Sequence, residues 1–313
     1  MKTTCNIPAA KRFGRYPLLC PGEKDGFTLG DLVAVLAMVS ILAVIILPLL
    51  FRGRLIGQRG ACVNDLHQIQ NGWILYNNEN DGNFPYNVSG PICTNINWVA
   101  NYENYAETST STNGQLMVNS PNSQLAPFEP NYKLYRCPAD RSCAGNSTTG
   151  PYYNGLAGPP RVRSYSMSAA VGGNTNGTAT GQGTWLGSLS DSGTVNQPEA
   201  WTVYLRQNMV VGAITPADLI VLVDEDPDSI NDGNWAFNMP TGETTDWIDK
   251  PTTLHGNAGN FSYADGHAEI HPWRAAGQIP PVMYQLQLGG MASNVPRNPD
   301  IPWVASHITT IYP

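Results

Sequence analysis

Residues 26–51 read GFTLGDLVAVLAMVSILAVIILPLLF. From Phe27 to Phe51 the run holds 25 residues and a single charge, Asp31. About 20 apolar residues, rising about 1.5 Å each, cover the roughly 30 Å hydrocarbon layer of a bilayer. The run therefore predicts a membrane-spanning helix over 27–51. The rival reading, a secretory h-region, holds about 7–15 residues before a small-residue cleavage site. This run is longer, and Arg52 and Arg54 stand behind it.

Upstream, residues 1–26 carry Lys2, Lys11, Arg12, Arg15 and Lys24 against Glu23 and Asp25, a net of +3, and read as a basic leader. Basic residues favour the cytoplasmic side of a span, although Arg52, Arg54 and Arg59 beyond it reduce the asymmetry. The whole chain carries −7, so the part after a leader of +3 carries −10. An acidic body without grouped Lys and Arg has no electrostatic footprint for nucleic acid. With 42% hydrophobic and 13% charged residues in 313, the chain can bury a sizeable core.

Downstream, Cys62, Leu66, Ile69, Trp73 and Tyr76 recur at spacings of four, three, four and three, one stripe of an amphipathic helix. The spacing predicts a stalk helix over 52–82, stopped by NNENDGNFP at 77–85. Pro48 removes a backbone donor, and Gly53, Gly57 and Gly60 weaken the helix, so 48–60 is expected to be kinked or partly melted. Residues 83–313 form the expected β-rich globular domain, loop-rich over 86–200. ADLIVLVDEDPD at 217–228 reads as a buried strand closed by an acidic turn, and NFSYADGHAEIH at 260–271 as a hairpin with Asp265-Gly266 in a type I′ turn. The expected fold class is α+β, a long N-terminal helix packed on an antiparallel sheet.

Cys5 and Cys20 lie in the leader; Cys62, Cys93, Cys137 and Cys143 follow the span. Four cysteines allow three pairings, and Cys137 with Cys143, bracketing a Pro/Asp/Arg/Ser turn, is the preferred one. Asp224, Glu225, Asp226, Asp228 and Asp232 offer hard oxygen ligands suited to calcium, with Asp224, Asp226, Asp228 and Asp232 as the candidate set. The spacing matches no EF-hand, since Ser229 stands where the turn glycine belongs. A solvated acidic loop is the plainer reading. His267, Glu269 and His271 alternate along one strand face, and with His255 and Asp265 they compose a nitrogen and oxygen donor set. Solvation of that face is again the plainer account. No cofactor is otherwise expected. The chain has no G-x-S-x-G, H-E-x-x-H, P-loop or helix-opening G-x-G-x-x-G, so no catalytic set is expected and the chain reads as a non-enzyme. Trp185, Trp201, Trp235 and Trp247 could stack on sugars, but core packing is the default for tryptophan.

GFTLGD at 26–31, between a charged leader and an apolar span, resembles the cleavage site of type IV prepilins and type II secretion pseudopilins. That resemblance implies cutting after Gly26 by a prepilin peptidase and N-methylation of Phe27. It also implies an assembly role for Asp31, where the family has a glutamate that pairs with a neighbouring subunit's amino terminus. Asp31 keeps the charge but is one methylene shorter, and Gly30 stands where a large apolar residue is common. Pro48, the twenty-second residue after the cut, matches a proline often found in the family. Glycine before the scissile bond suits an extended chain in a protease cleft, and a carboxylate within a membrane segment usually marks function. A second resemblance spans CVNDLHQIQNGWILYNNENDGNFP (62–85), YRCPAD (135–140), RSYSMSA (163–169) and His255-x9-Asp265-Gly266. These are similar to large prepilin-like proteins of the DUF1559-type group, which has no assigned activity.

Together these imply a pilin-like structural subunit for a pilus-like or type II secretion filament. Its helix would sit in a bacterial inner membrane in a single pass, with the C-terminal domain in the periplasm or on the cell surface. The implied partners are the prepilin peptidase and other pilin or pseudopilin subunits, joined through the N-terminal helix. The alternative is a membrane-tethered binding module, for example for polysaccharide, using the prepilin export route.

Overall fold

The structure is a computed structural model that describes residues 26–89, 96–105, 109–145, 155–173, 186, 201–239, 247–275, 279, 281–285 and 298–310. The leader through residue 25, Cys93 and Trp185 lie outside the described residues. Two compact units divide the chain, Met1–Phe51 and Arg52–Pro313. Helix α1 (Leu29–Glu79) begins in the first and ends in the second.

Thr28 opens α1. Its hydroxyl accepts from the Asp31 N–H at 3.2 Å, and the Asp31 carboxylate accepts from the Thr28 N–H and hydroxyl at 2.9 and 2.7 Å. This reciprocal exchange is a capping box, which satisfies donors that a helix start leaves orphaned. Along the first unit large apolar side chains stand exposed on every side, from Phe27 at 71% through Val44 at 74% to Phe51 at 70%. The segment has no face that buries within its own unit. By length and composition it is a helix that can cross a membrane, its apolar window averaging a mean hydropathy of 3.0.

The partly melted stretch expected between Pro48 and Gly60 is helical throughout. Proline removes one hydrogen bond, and the bonds on either side hold the helix. Gly53, Gly57 and Gly60 face open space, where an added Cβ would meet nothing within 4 Å. They weaken the helix without creating a packing defect that would break it.

In the second unit the predicted stripe is the buried one. Cys62, Leu66, Ile69 and Trp73 are at most 1% exposed, and Tyr76 is half-buried beside them. They join Tyr165, Met167, Leu219 and Val221 in one apolar cluster. Trp73 lies against Phe84, with ring centroids 4.5 Å apart, which fixes the chain as it leaves the helix.

Five strands, β1 (Tyr165–Ser168), β2 (Ile220–Asp224), β3 (Asn234–Trp235), β4 (Ala258–Tyr263) and β5 (Ala268–Pro272), form one sheet in the order β3-β1-β2-β4-β5. The sheet is mixed where an antiparallel one is expected, because β3 runs parallel to β1 while the remaining pairs are antiparallel. The strand β2 explains its own unbroken apolar run. Val221 and Leu222 enter the cluster beneath α1, whereas Ile220 and Val223 enter a second cluster with Trp235, Phe237, Phe261 and helix α2 (Asp300–Ile308). Both faces of the sheet are covered, which is the condition under which strands lose alternation.

The β4–β5 turn also differs from expectation. Gly266 has φ 104° while Asp265 is not left-handed, and Gly266 N–H bonds to Tyr263 O at 2.9 Å. The connection is thus the three-residue form, Ala264 to Gly266, in which only the glycine needs positive φ.

Leu66 is fully buried in the first cluster. Leu66→Ala is expected to cost about 2–5 kcal/mol, read as a lowered urea midpoint at unchanged slope for the detergent-solubilised chain.

Candidate functional site: a buried sulfur, imidazole and carboxylate cluster

The end of β2 places Asp224 in the interior with its carboxylate facing the loop before β4. His255 in that loop brings Nε2 to 2.8 Å from Asp224 Oδ2, and Asn260 of β4 donates to the same oxygen at 3.0 Å. On the other side of His255 Nε2, at 3.2 Å, lies the sulfur of Cys137. Cys137 is joined to Cys62 of α1 in a disulfide with a Cα–Cα distance of 5.3 Å. The preferred pairing of Cys137 with Cys143 is therefore corrected: Cys143 is a free, half-buried thiol. A six-residue separation looks suited to a loop staple, but the turn aims the Cys137 sulfur inward at the helix. Cys143 Sγ points to Arg141 O at 3.5 Å.

The neighbourhood is built to hold this geometry. Ser164 Oγ accepts from Cys137 N–H at 3.2 Å and donates to Asp140 Oδ2 at 2.7 Å, while Asp140 Oδ1 caps Ser142 N–H at 2.7 Å. Arg59 Nε donates to His255 O at 2.7 Å, and Gln58 Nε2 to Pro138 O at 3.1 Å. Consecutive residues of α1 thus grip both the histidine loop and the Cys-Pro turn. Cys62, Cys137, Asp224 and His255 are all fully buried. Burial pushes the Asp224 carboxyl up, against the hydrogen bonds from His255 and Asn260. Asp224 Oδ1, His255 Nδ1 and Asn260 Oδ1 are buried without a hydrogen-bond partner.

His255 and Asp265-Gly266, ten positions apart in one sequence element, do separate work. Asp265 Oδ1 accepts from His267 N–H at 3.0 Å and faces His267 Nδ1 at 2.6 Å. Gly266 is favoured by its φ of 104°, and an added Cβ would also crowd Ile74 Cδ1 at 3.0 Å. The alternating residues His267, Glu269 and His271 are each engaged by an aromatic side chain. His267 stacks on Tyr263 at 4.1 Å, Glu269 accepts from Tyr263 OH at 2.7 Å, and His271 stacks on Trp303 of α2 at 3.5 Å. Burial lowers the His271 pKa, with Asp300 opposing.

The acidic string is neither solvated nor convergent. Asp224, Glu225, Asp226, Asp228 and Asp232 are between 0% and 6% exposed. Asp226 pairs with Lys250 at 3.3 Å. Asp228 is filled by the N–H groups of Met283, Tyr284 and Gln285 and by Tyr105 OH. Asp232 accepts from Ser89 Oγ at 3.0 Å and Asn234 N–H at 2.8 Å. Each candidate calcium ligand is thus turned toward a different protein donor. The solvated reading is corrected too, because buried arginines, which sequence spacing does not reveal, hold the loop inside. Arg161 binds Glu103 at 3.0 Å and Pro227 O at 2.8 Å; Arg163 binds Asn101 Oδ1 at 2.7 Å and Asp232 O at 2.7 Å.

Of the candidate sugar-stacking rings, Trp235 and Trp247 are buried in the core and Trp201 is half-buried against the second cluster. No family model, curated protein or solved structure matches this chain.

Burial pushes Asp226 up to about 6, outweighing the Lys250 ammonium, with Asp228 adding to the rise. The folded chain therefore keeps a proton that the unfolded chain releases above about pH 4. Stability must fall as pH rises from about 4 to about 6. Relative to Asp226→Asn, the wild-type chain is expected to lose on the order of 2–3 kcal/mol across that window, measured as denaturant midpoints at stepped pH. Peptide mapping without reduction is expected to link the Cys62 and Cys137 peptides and to find Cys143 alkylated.

Proposed function

We propose that the chain is a prepilin-like structural subunit, processed after Gly26 and packed into a pilus-like or type II secretion filament through the apolar half of α1. The observation that carries this reading is the juxtaposition at residues 26–31. Gly26 and Phe27 lie in non-helical chain directly before a capped helix whose first unit buries none of its large apolar side chains. Such a boundary gives a peptidase an extended bond to cut at a membrane surface. The exposed apolar helix serves first as an anchor and then as the surface on which subunits pack. On this reading the inner membrane holds the helix in a single pass and the body projects away from the cytoplasm, where a disulfide persists.

The second reading, a tethered binding module, is favoured by a cleft of about 690 Å³ lined by Asn113, Gln115, Tyr132, Lys133, Arg136 and Asp140 among others. Its mixed-charge rim is compatible with a polar ligand, and Tyr132 is the one aromatic ring among the residues that line it. The filament reading has the more specific support.

Amino-terminal and intact-mass analysis of the chain extracted from native membranes tests the proposal. A mature protein beginning at methylated Phe27 is expected, and Gly26→Leu is expected to accumulate the longer precursor. A chain that retains Gly26, or is cut elsewhere, would overturn it.

A further inference from the structure

Cys62, Cys137, His255 and Asp224 bring two sulfurs, an imidazole nitrogen and a carboxylate oxygen within 4.8 Å of one another. We propose that these residues are a zinc site, whose two sulfur ligands become available when the Cys62–Cys137 bond is reduced. Two thiolates, one imidazole and one carboxylate form a closed set of four ligands, the number and softness that Zn2+ takes in tetrahedral structural sites.

The distances suit it. Bonds of about 2.3 Å to sulfur and about 2.0–2.1 Å to nitrogen or oxygen place tetrahedral ligand atoms about 3.3–3.8 Å apart. His255 Nε2 stands 3.2 Å from Cys137 Sγ and 2.8 Å from Asp224 Oδ2. Once the sulfurs separate, spreading by about half an ångström gives room for the ion.

A disulfide alone needs no such neighbours. Desolvating a histidine and an aspartate beside it is costly unless their polar atoms are used. Here His255 Nε2 and Asp224 Oδ2, the atoms that would face the ion, lie against each other, and Asp224 Oδ1, which has no hydrogen-bond partner, is a second oxygen that the fully buried carboxylate offers. Asn260 on Asp224 and Arg59 on the His255 carbonyl hold the two residues in place, as outer contacts do around metal ligands. The ligands come from four separate parts of the chain, with Cys62 and Cys137 75 residues apart and His255 118 beyond Cys137. Metal binding would therefore tie together the same elements as the disulfide.

The exchange balances simply. A dithiol reductant supplies two electrons and two protons, becoming a disulfide itself as Cys62 and Cys137 become thiols. Zn2+ then displaces both thiol protons to water and binds the thiolates, while His255 gives up the proton on Nε2 and takes one on Nδ1, which frees Nε2 to bind.

The test uses the full chain in detergent, reduced with a phosphine, with Co2+ and Zn2+ as the probes. The reduced chain is expected to bind about one Co2+, with thiolate-to-cobalt charge-transfer bands and the visible bands of a tetrahedral ion, bleached by added Zn2+. Zinc is also expected to shield Cys62 and Cys137, but not Cys143, from alkylation, as located by peptide mass. Cys143→Ser should keep the bands; Cys62→Ser with Cys137→Ser, and His255→Ala, should lose them. The alkylation measurement needs no variant, so a variant that fails to fold leaves the test intact. A reduced chain that takes up no cobalt, thiols that zinc does not shield, or bands that survive loss of both cysteines would each overturn the site. So would a chain that unfolds on reduction and is not restored by zinc.

Discussion

The covalent bond between Cys62 and Cys137 decides where the irregular first third of the body goes. It closes a loop of 75 residues, from the inner stripe of α1 to the Cys-Pro turn. Beyond the end of α1 at Glu79, the described part of that loop holds only a helical turn at Gln115–Asn119, a 3-10 turn at Tyr132–Tyr135, isolated bridges at Asn83 and Asn97 and connecting turns. Such a segment forms few cooperative backbone ladders of its own. Cross-linking it removes chain entropy worth roughly 4–5 kcal/mol for a loop of this length. The hydrogen bonds from Arg59 and Gln58 then fix the closed end against the histidine loop and the turn, so helix, turn and sheet share one junction.

That junction explains what could be read from the sequence and what could not. The apolar run and the 4-3-4-3 stripe are local patterns whose periodicity maps directly onto a helix, and both are found where spacing puts them. The β2 run and the Asp-Gly hairpin are equally local. By contrast, the pairing of Cys62 with Cys137 depends on which way a turn aims one sulfur, and short spacing favours the wrong partner. The parallel β3 is two residues long, too short to carry a pattern. The acidic string reads as surface because charge ordinarily is surface; donors from other parts of the chain, among them Arg161, Arg163, Lys250, Tyr105 and the N–H groups of 283–285, make its interior position affordable. His255 was legible as a motif residue, but its sulfur neighbours were not.

Buried charge in this body has two designs. Glu103 lies between Arg161 and Arg163, and the guanidinium groups oppose the rise that burial imposes on its carboxyl. Glu225 and Asp249 sit deep as well, and burial drives both well above the usual carboxylate range, with Asp249 adding to the rise at Glu225. Groups of the first kind are countered by paired guanidinium charge, although burial still leaves the Glu103 carboxyl above its ordinary range. Groups of the second kind are satisfied by holding a proton, so they favour the fold most at mildly acidic pH. Asp226 belongs with the second kind despite its lysine, because complete burial outweighs one ammonium at 3.3 Å.

Asp31 meets a local demand in this structure, and the filament proposal asks a longer-range one of it. In the chain as it stands, Oδ2 takes both donors of Thr28, and this closes the helix start immediately after Gly26 and Phe27. The longer glutamate usual at this position in prepilins could reach further outward. Aspartate instead keeps its charge against the helix N-terminus, where the backbone dipole favours it. Under the filament proposal, the new amino group at Phe27 would lie one residue before that cap. A carboxylate held there is positioned to neutralise an amino terminus in a medium where an unpaired charge is costly, and Oδ1 is the oxygen that Thr28 does not occupy. The capping box and the assembly contact are thus compatible on one residue, since each uses a different oxygen.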